Sequence, residues 1–370
     1  KENDCKVNLT VIPWDKYEET YTTALNSGEG PDVGYMYNEM FPTYIDAGAV
    51  EDMSSYITDE DKKEYKYLSN GNMMDGQYGW PLVTGVPFVL YYNEDILNAL
   101  GEKAPETWDD FARICQEATK DTDGDGKVDQ YGFACGMNTS DIGAMQILNA
   151  YYYSALWQNG GQVYNDDLKS VSFADEAGKE AVTWLKGLTS YMNEDFMSLS
   201  WSDAFSTVFG AGKAAFGITR SSQTDGTTFA ETYPDLNWNF VTSLKNKDFG
   251  TFGATDCLTL MSACEDKDLA MDFIKYVTGS EFMTAYHAKC PGAALTESEP
   301  YVGDEKMEKI YTEDKDKWHG IQAGPCGTQI LNQLAADFQG IMSGETSVDE
   351  GLKEAEDYAN GLLDEYWANK

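Results

Sequence analysis

The feature that most narrows the fold is a repeated switch between two hydrophobic periods. The segment "VNLTVIPW" (7–14) alternates in β-branched residues, as a strand does. The next stretch sets Tyr17, Tyr21 and Leu25 at helical spacing, with Asp15 and Glu18 spaced as a capping box and Gly28 as a stop. "DVGYMY" (32–37) then reads as a second strand, so the chain opens with a β-α-β unit. The pattern recurs with a strand at "VPFVLYYN" and a helix at "TWDDFARICQEATK", where Thr107 and Asp110 form a capping box and Phe111, Ile114, Cys115 and Ala118 share a face. Further helices are marked by Val182, Leu185 and Leu188, by Leu269, Phe273 and Val277, and by a Ser347/Glu350 box leading through Leu352, Ala355, Ala359 and Leu362. Strands alternating with helices predict an α/β protein with mostly parallel sheets. At 370 residues the chain exceeds what one core accommodates, and no Pro-rich linker divides it, so two lobes sharing several crossings with a cleft between them are expected.

Charge removes whole classes of partner. The balance is 26 − 63 = −37 and is spread along the chain, which repels phosphate backbones; nucleic acid is excluded as a partner. An apolar share of 42% with 24 Tyr and 9 Trp supplies a packed interior. The seven cysteines include no C-x-x-C, and His287 and His319 are the only histidines, so zinc spacings are absent and buried free thiols are expected. Catalytic signatures are absent too: there is no G-x-S-x-G, P-loop, dinucleotide fingerprint or H-E-x-x-H, although a carboxylate pair could lie among 63 acids.

One local motif has metal-ligand spacing. In "DTDGDGKVDQYG", Asp121, Asp123 and Asp125 occupy positions 1, 3 and 5 of a calcium loop, Lys127 would offer its carbonyl at 7, and Asp129 falls at 9. The bidentate Glu expected at position 12 is replaced by Gly132. The loop lies between a helix and a strand, where a structural Ca2+ would brace a connection; no cofactor is otherwise required.

The ordered segments "TALNSGEGPDVGYMYNEMFPTYIDAGAVEDMSSYI", "YGWPLVTGVPFVLYYNEDILNALG", "APETWDDF", "GGQVYN", "FGAGKAAFGI" and "DLAMDFIKYVTGSEFMTAY" cover nearly the whole chain. Together they resemble family 1 extracellular solute-binding proteins, the carbohydrate-capturing subunits of ABC importers related to maltodextrin-binding proteins. The resemblance implies a two-lobed, periplasmic-binding-protein-like α/β fold whose lobes, joined by hinge crossings near 84–88, 252–256 and 300–305, close on a solute. The N-lobe would comprise 1–85 and 256–300, and the C-lobe 86–255 and 301–370. It also implies a strand and helix ahead of "KENDCK".

By the same resemblance the ligand is a neutral oligosaccharide, the partners are permease subunits, and the protein acts as a monomer without being an enzyme. It would sit as a lipoprotein on the extracellular face of a Gram-positive membrane, or in a periplasm. Sugar sites need aromatic platforms and polar rims. Tyr37, Asn38 and Glu39 follow a strand end, where α/β ligand sites gather. Trp14, Trp80 and Thr84 are further N-lobe candidates, Arg220 and Gln223 follow "FGIT", and Asp256 lies at the second crossing. Asn138, Asp141, Trp201 and Gln329 complete the expected set on the C-lobe side. The acidic balance suits neutral or cationic solutes. A secreted glycoside hydrolase, a polyamine-binding protein and a calcium-dependent adhesion module are the competing readings.

Overall fold

The computed structural model describes residues 5–13, 16–28, 30–139, 144–224 and 227–370. They are organised by two sheets. The first contains β1 (Val33–Tyr37) and β2 (Trp80–Thr84) on either side of a later strand; the second contains β3 (Phe88–Asn93), β4 (Tyr131–Ala134), β5 (Ala214–Arg220) and β6 (Trp238–Val241). The later strand is β7 (Thr255–Leu260), which gives the orders β1-β7-β2 and β4-β5-β3-β6.

The pairing corrects the expectation of mostly parallel sheets. β7 runs antiparallel to both its neighbours, β3 runs antiparallel to both of its own, and β4 with β5 is the one parallel pair among the described strands. The cause lies in the connections. β3 follows β2 directly out of the first sheet, and β7 enters the first sheet directly from the second. Each is a straight crossing inserted between strands that point the other way. As a strand buried on both faces over most of its length, β3 reads "FVLYY" before Asn93, a run of apolar and aromatic residues rather than an alternation.

The strand expected at 7–14 does not form. Residues 7–13 carry no regular structure, with Val7 56%, Leu9 84% and Val11 81% exposed. The edge it would join is already satisfied. The Tyr35 N–H donates to the Tyr21 hydroxyl at 2.8 Å, and the Tyr17 hydroxyl donates to the Tyr35 carbonyl. Both tyrosines come from α1 (Tyr17–Ser27), which buries them against the sheet and ends at Gly28 in the left-handed region, as read from sequence. The expected cap residue Asp15 lies outside the described residues; Lys16 occupies the N-cap without a side-chain bond.

Helix signals fared better because they are local. In α2 (Trp108–Ala118) the Thr107/Asp110 box is closed in both directions, at 3.1 and 3.2 Å. In α7 (Val348–Ala368), whose predecessors are α3 (Glu176–Gly187), α4 (Lys267–Thr278), α5 (Glu305–Thr312) and α6 (Gly327–Ser343), the Ser347/Glu350 box is closed as well. Each such cap is worth about 1 kcal/mol. The largest core lies against the second sheet and takes side chains from α2, α3, α6 and α7, among them Phe111, Leu185, Phe338 and Leu352. A second cluster on that sheet seats Met307 and Ile310 of α5. Met53, Trp80, Leu260 and Ile274 of α4 belong to the core of the first sheet. All seven cysteines are free; Cys115, Cys135, Cys257 and Cys264 are buried.

Between the sheets three segments run side by side. Gly85 N–H donates to Ala254 O at 3.0 Å, Phe88 N–H to Phe252 O at 2.9 Å, and Gly253 N–H to His319 O at 3.0 Å. Buried Trp318 lies over this ribbon, its indole N–H held by the Ile310 carbonyl at 2.9 Å. A Cβ at Gly253 would stand 2.6 Å from the Trp318 ring, and one at Gly85, whose φ is +77°, would stand 2.8 Å from it. Only glycine permits this approach. Gly253→Ala is therefore expected to lower unfolding free energy by roughly 1–3 kcal/mol through overpacking, measurable as a lower urea midpoint. An unchanged midpoint would show that Trp318 has room to move.

Candidate ligand-binding cleft

The site is assembled where strands end. β1 terminates at Tyr37, and the tight turn Asn38–Met40 follows, leaving Asn38 and Glu39 each only 9% exposed. The antiparallel register with β7 sets Asp256 opposite Tyr37. The Tyr35 hydroxyl donates to the Asp256 carboxylate, and the Tyr37 hydroxyl to that of Glu18. Burial raises the Asp256 pKa, while the Tyr35 bond and the Arg220 charge oppose the rise.

The facing wall comes from the second sheet. β5 ends at Arg220, directly opposite Phe88 in β3. The guanidinium lies 5.4 Å from the Phe88 ring centre and 5.5 Å from that of Trp201, and its Nη2 donates to Gln146 Oε1 at 2.8 Å. Aromatic contacts continue from Phe88 to Phe252 (6.2 Å), Tyr153 (5.7 Å), Trp157 (5.4 Å) and His319 (4.1 Å). The two walls meet at the start of α6: a Cβ at Gly327 would lie 3.5 Å from the Glu39 carbonyl and 3.7 Å from the Tyr164 hydroxyl.

Several buried polar atoms along this seam have no partner among the described residues: Asn38 Oδ1, Thr84 Oγ1, Tyr153 Oη, Trp201 Nε1 and Arg220 Nε. An unsatisfied buried polar group costs about 1–3 kcal/mol, and five of the eight such atoms among the described residues lie along this seam. Aromatic faces beside polar atoms from two walls suit a ligand with apolar ring faces and a rim of hydroxyls.

The residues anticipated from sequence divide accordingly. Tyr37, Asn38, Glu39, Thr84, Trp201, Arg220 and Asp256 line or border the seam. Trp80 does not: it is fully buried in the core of the first sheet, edge-on to Tyr65 at 4.9 Å with Lys275 over its ring, because its register turns it inward. Asn138 ties down a loop, its Nδ2 donating to Ser198 O at 2.9 Å. Gln223 is exposed and accepts from the Thr219 hydroxyl at 3.2 Å; Gln329 is exposed on the first turn of α6. Trp14 and Asp141 lie outside the described residues. Sequence reading missed Tyr35, Phe88, Gln146 and Tyr153. Tyr35 was legible in principle, two positions before Tyr37 and so on the same strand face.

At the acidic loop, the carboxylates of Asp121, Asp123 and Asp125 all lie within 4.8 Å of one another. Asp121 accepts the Gly126 and Gly124 N–H groups at 2.7 and 2.6 Å, which lower its pKa. Asp129 is engaged elsewhere, accepting from the Thr122 N–H (2.8 Å) and hydroxyl (2.6 Å), and the Lys127 N–H donates to Asp125. Of the four anticipated carboxylates, those of Asp121, Asp123 and Asp125 converge.

Burial pushes Glu39 up to about 7; its own backbone N–H opposes the rise, and the Asp256 charge adds to it. A carboxyl raised in the folded state stabilises the fold below its unfolded pKa and loses that contribution as pH rises through the folded one. The ligand-free protein is expected to lose stability on the order of 3 kcal/mol more than Glu39→Gln between about pH 5 and about pH 8. Urea titrations of both proteins at the two pH values measure the difference, and parallel curves would rule out a buried, ionisable Glu39.

Comparison with known proteins agrees with this geometry. A sugar-binding protein from Xanthomonas citri superposes with a TM-score of 0.78 at 17% identity, covering 98% of this chain and 91% of its own. A Listeria monocytogenes ABC substrate-binding protein in complex with cycloalternan gives 0.77 at 18% identity, covering 98% and 92%. A Thermotoga lettingae ABC transporter solute-binding protein bound with alpha-D-tagatose gives 0.72 at 18%, covering 94% and 89%. These likenesses establish the two-lobed fold. Binding proteins of Brucella abortus and Brucella suis are 25% identical over 317 residues, 82% of this chain and 69% of theirs. The family profile described as bacterial extracellular solute-binding protein matches residues 1–300, four-fifths of the chain, and the protein belongs to that family.

Proposed function

We propose that the protein captures an oligosaccharide between its lobes and delivers it to the permease subunits of an ABC importer, without cleaving it. The observation that carries this reading is the seam itself, where unpartnered polar atoms from both walls flank the Trp201, Phe88 and Tyr153 rings. Relatives of the same fold that hold tagatose and cycloalternan support a sugar as the solute. The lobes are 1–85 with 256–300 and 86–255 with 301–370. They rotate about the paired ribbon at 84–88 and 252–256, with a third passage at 300–305. Capture takes place outside the cytoplasm, as the family's extracellular character supports, on a lipid-anchored or periplasmic protein acting as a monomer.

A thermal-shift panel of α- and β-linked oligosaccharides tests the reading. A ligand at 100 times its Kd stabilises the fold by about 2.7 kcal/mol, and chromatography afterwards should return it intact. Arg220→Ala and Trp201→Ala should each weaken that ligand at least about ten-fold in calorimetry. Cleaved sugar would mean a hydrolase instead, and unaffected affinity in both variants would place the ligand elsewhere.

The loop at Asp121, Asp123 and Asp125 is proposed to hold a structural calcium ion. Calcium should raise the melting temperature of an EDTA-treated sample and leave Asp123→Asn unmoved. Equal melting of the two proteins with and without calcium would make the loop a plain acidic turn.

A further inference from the structure

One side-chain cluster ties the lobes together outside the ribbon. Asp46 closes the short helix Phe41–Asp46, which Phe41 and Tyr44 seat in a core cluster of the N-lobe. Its Oδ1 accepts the Tyr366 hydroxyl at 3.0 Å and pairs with the Lys370 ammonium at 2.6 Å, both from the C-lobe at or just past the last turn of α7. Lys370 also lies 5.4 Å from the Tyr366 ring centre, so hydroxyl, ring and ammonium gather around one carboxylate. The C-lobe holds these partners in place. The neighbouring Trp367 donates its indole N–H to the Leu168 carbonyl at 3.0 Å, and Tyr366 packs edge-on to that indole at 5.1 Å. Of the ion pairs among the described residues, Asp46–Lys370 is the one that joins the two lobes.

Local stability does not explain the cluster. Asp46 stands at the C-terminal end of its own helix, where the helix dipole disfavours a negative charge, and that turn holds no basic residue. A partly exposed ion pair contributes little to folding on its own. A balance between open and shut lobes is another matter, because it responds to any interaction made in one arrangement and lost in the other. The lobes are drawn together here: Asn38 and Glu39 on one wall and Tyr153 and Trp201 on the other are buried, and a Cβ at Gly327 would lie 3.5 Å from the Glu39 carbonyl. The cluster belongs to this shut arrangement. Asp46 lies at the far end of the helix that leaves the Asn38 wall, so a rotation about the ribbon that parts the walls also carries it away from Tyr366 and Lys370.

We propose that Asp46, Tyr366 and Lys370 form a latch between the lobes, made as they shut and broken as they part, which sets the share of ligand-free protein that is already shut. Apparent affinity scales with that share, so the latch tunes capture and release without touching the solute. The inference rests on the two-lobe part of the capture reading and uses nothing about the identity of the sugar.

The test is small-angle X-ray scattering of the full, ligand-free chain and of its variants at about 20 mM and about 500 mM salt. Asp46→Lys and Lys370→Asp each set like charges across the contact. Each should raise the open-to-shut ratio at least about three-fold at low salt, seen as a larger radius of gyration. Asp46→Lys combined with Lys370→Asp restores an opposite pair and should return the radius of the unmodified protein. Tyr366→Phe, which loses one hydroxyl, should open the protein less than either single charge reversal. Differences among the charge variants should shrink at high salt. General repulsion predicts another pattern: at a net charge of −37, Asp46→Lys would tighten the protein and Lys370→Asp would loosen it. That pattern, or equal radii throughout, would overturn the latch. Either result leaves the capture reading to be decided by the oligosaccharide panel.

Discussion

Each sheet of this protein is completed by a strand that arrives from the other, and that exchange governs the remaining architecture. β3 and β7 lie at interior positions, antiparallel to their neighbours, and the few residues between their ends and the opposite lobe form a hydrogen-bonded ribbon. The lobes therefore cannot drift apart without breaking the central pairing of both sheets. A rotation, by contrast, asks only for modest backbone changes in the ribbon, where Gly85 and Gly253 meet Trp318. The same exchange aligns the strand ends: Asp256 lies just past one crossing, while Arg220 ends the strand paired with Phe88, just past the other.

What the crossings bring together is a seam with chemical polarity. A flat array of hydroxyl-binding groups would accept many sugars. Here an arginine is set over the Phe88 and Trp201 rings, at one end of an aromatic chain that continues through Phe252, Tyr153 and Trp157. In such an array a charged group can direct a ligand while ring stacking contributes affinity that depends little on direction.

Local signals in the sequence carried through to the structure, and signals that depend on partners did not. The capping boxes at Thr107 and Ser347 need only three residues each, and both are formed. Asn38, Glu39, Arg220 and Asp256 were legible because polar residues at or just beyond strand ends collect at one rim of an α/β sheet. Trp80 misled because a tryptophan near a crossing looks the same in sequence whether its register turns it to the cleft or to the core. Tyr153 was hidden in the run Tyr151 to Tyr153, which reads as plain core; it is buried throughout, and only its hydroxyl, without a partner among the described residues, sets it apart. The segment 7–13 has the alternation of a strand, but alternation cannot reveal that the tyrosines of α1 already satisfy the neighbouring edge.

The unpaired cysteines have a consequence for how this protein fails. With no disulfide in the fold, native stability is indifferent to the redox state of the surroundings, and Cys115, Cys135, Cys257 and Cys264 are shielded by burial that also holds their thiols protonated. Unfolding removes both protections at once. In an oxidising medium the released thiols are free to cross-link within and between chains, and each such bond opposes reassembly of the two lobes. Where cross-linking outpaces refolding, the working lifetime of the protein is set by how slowly it opens.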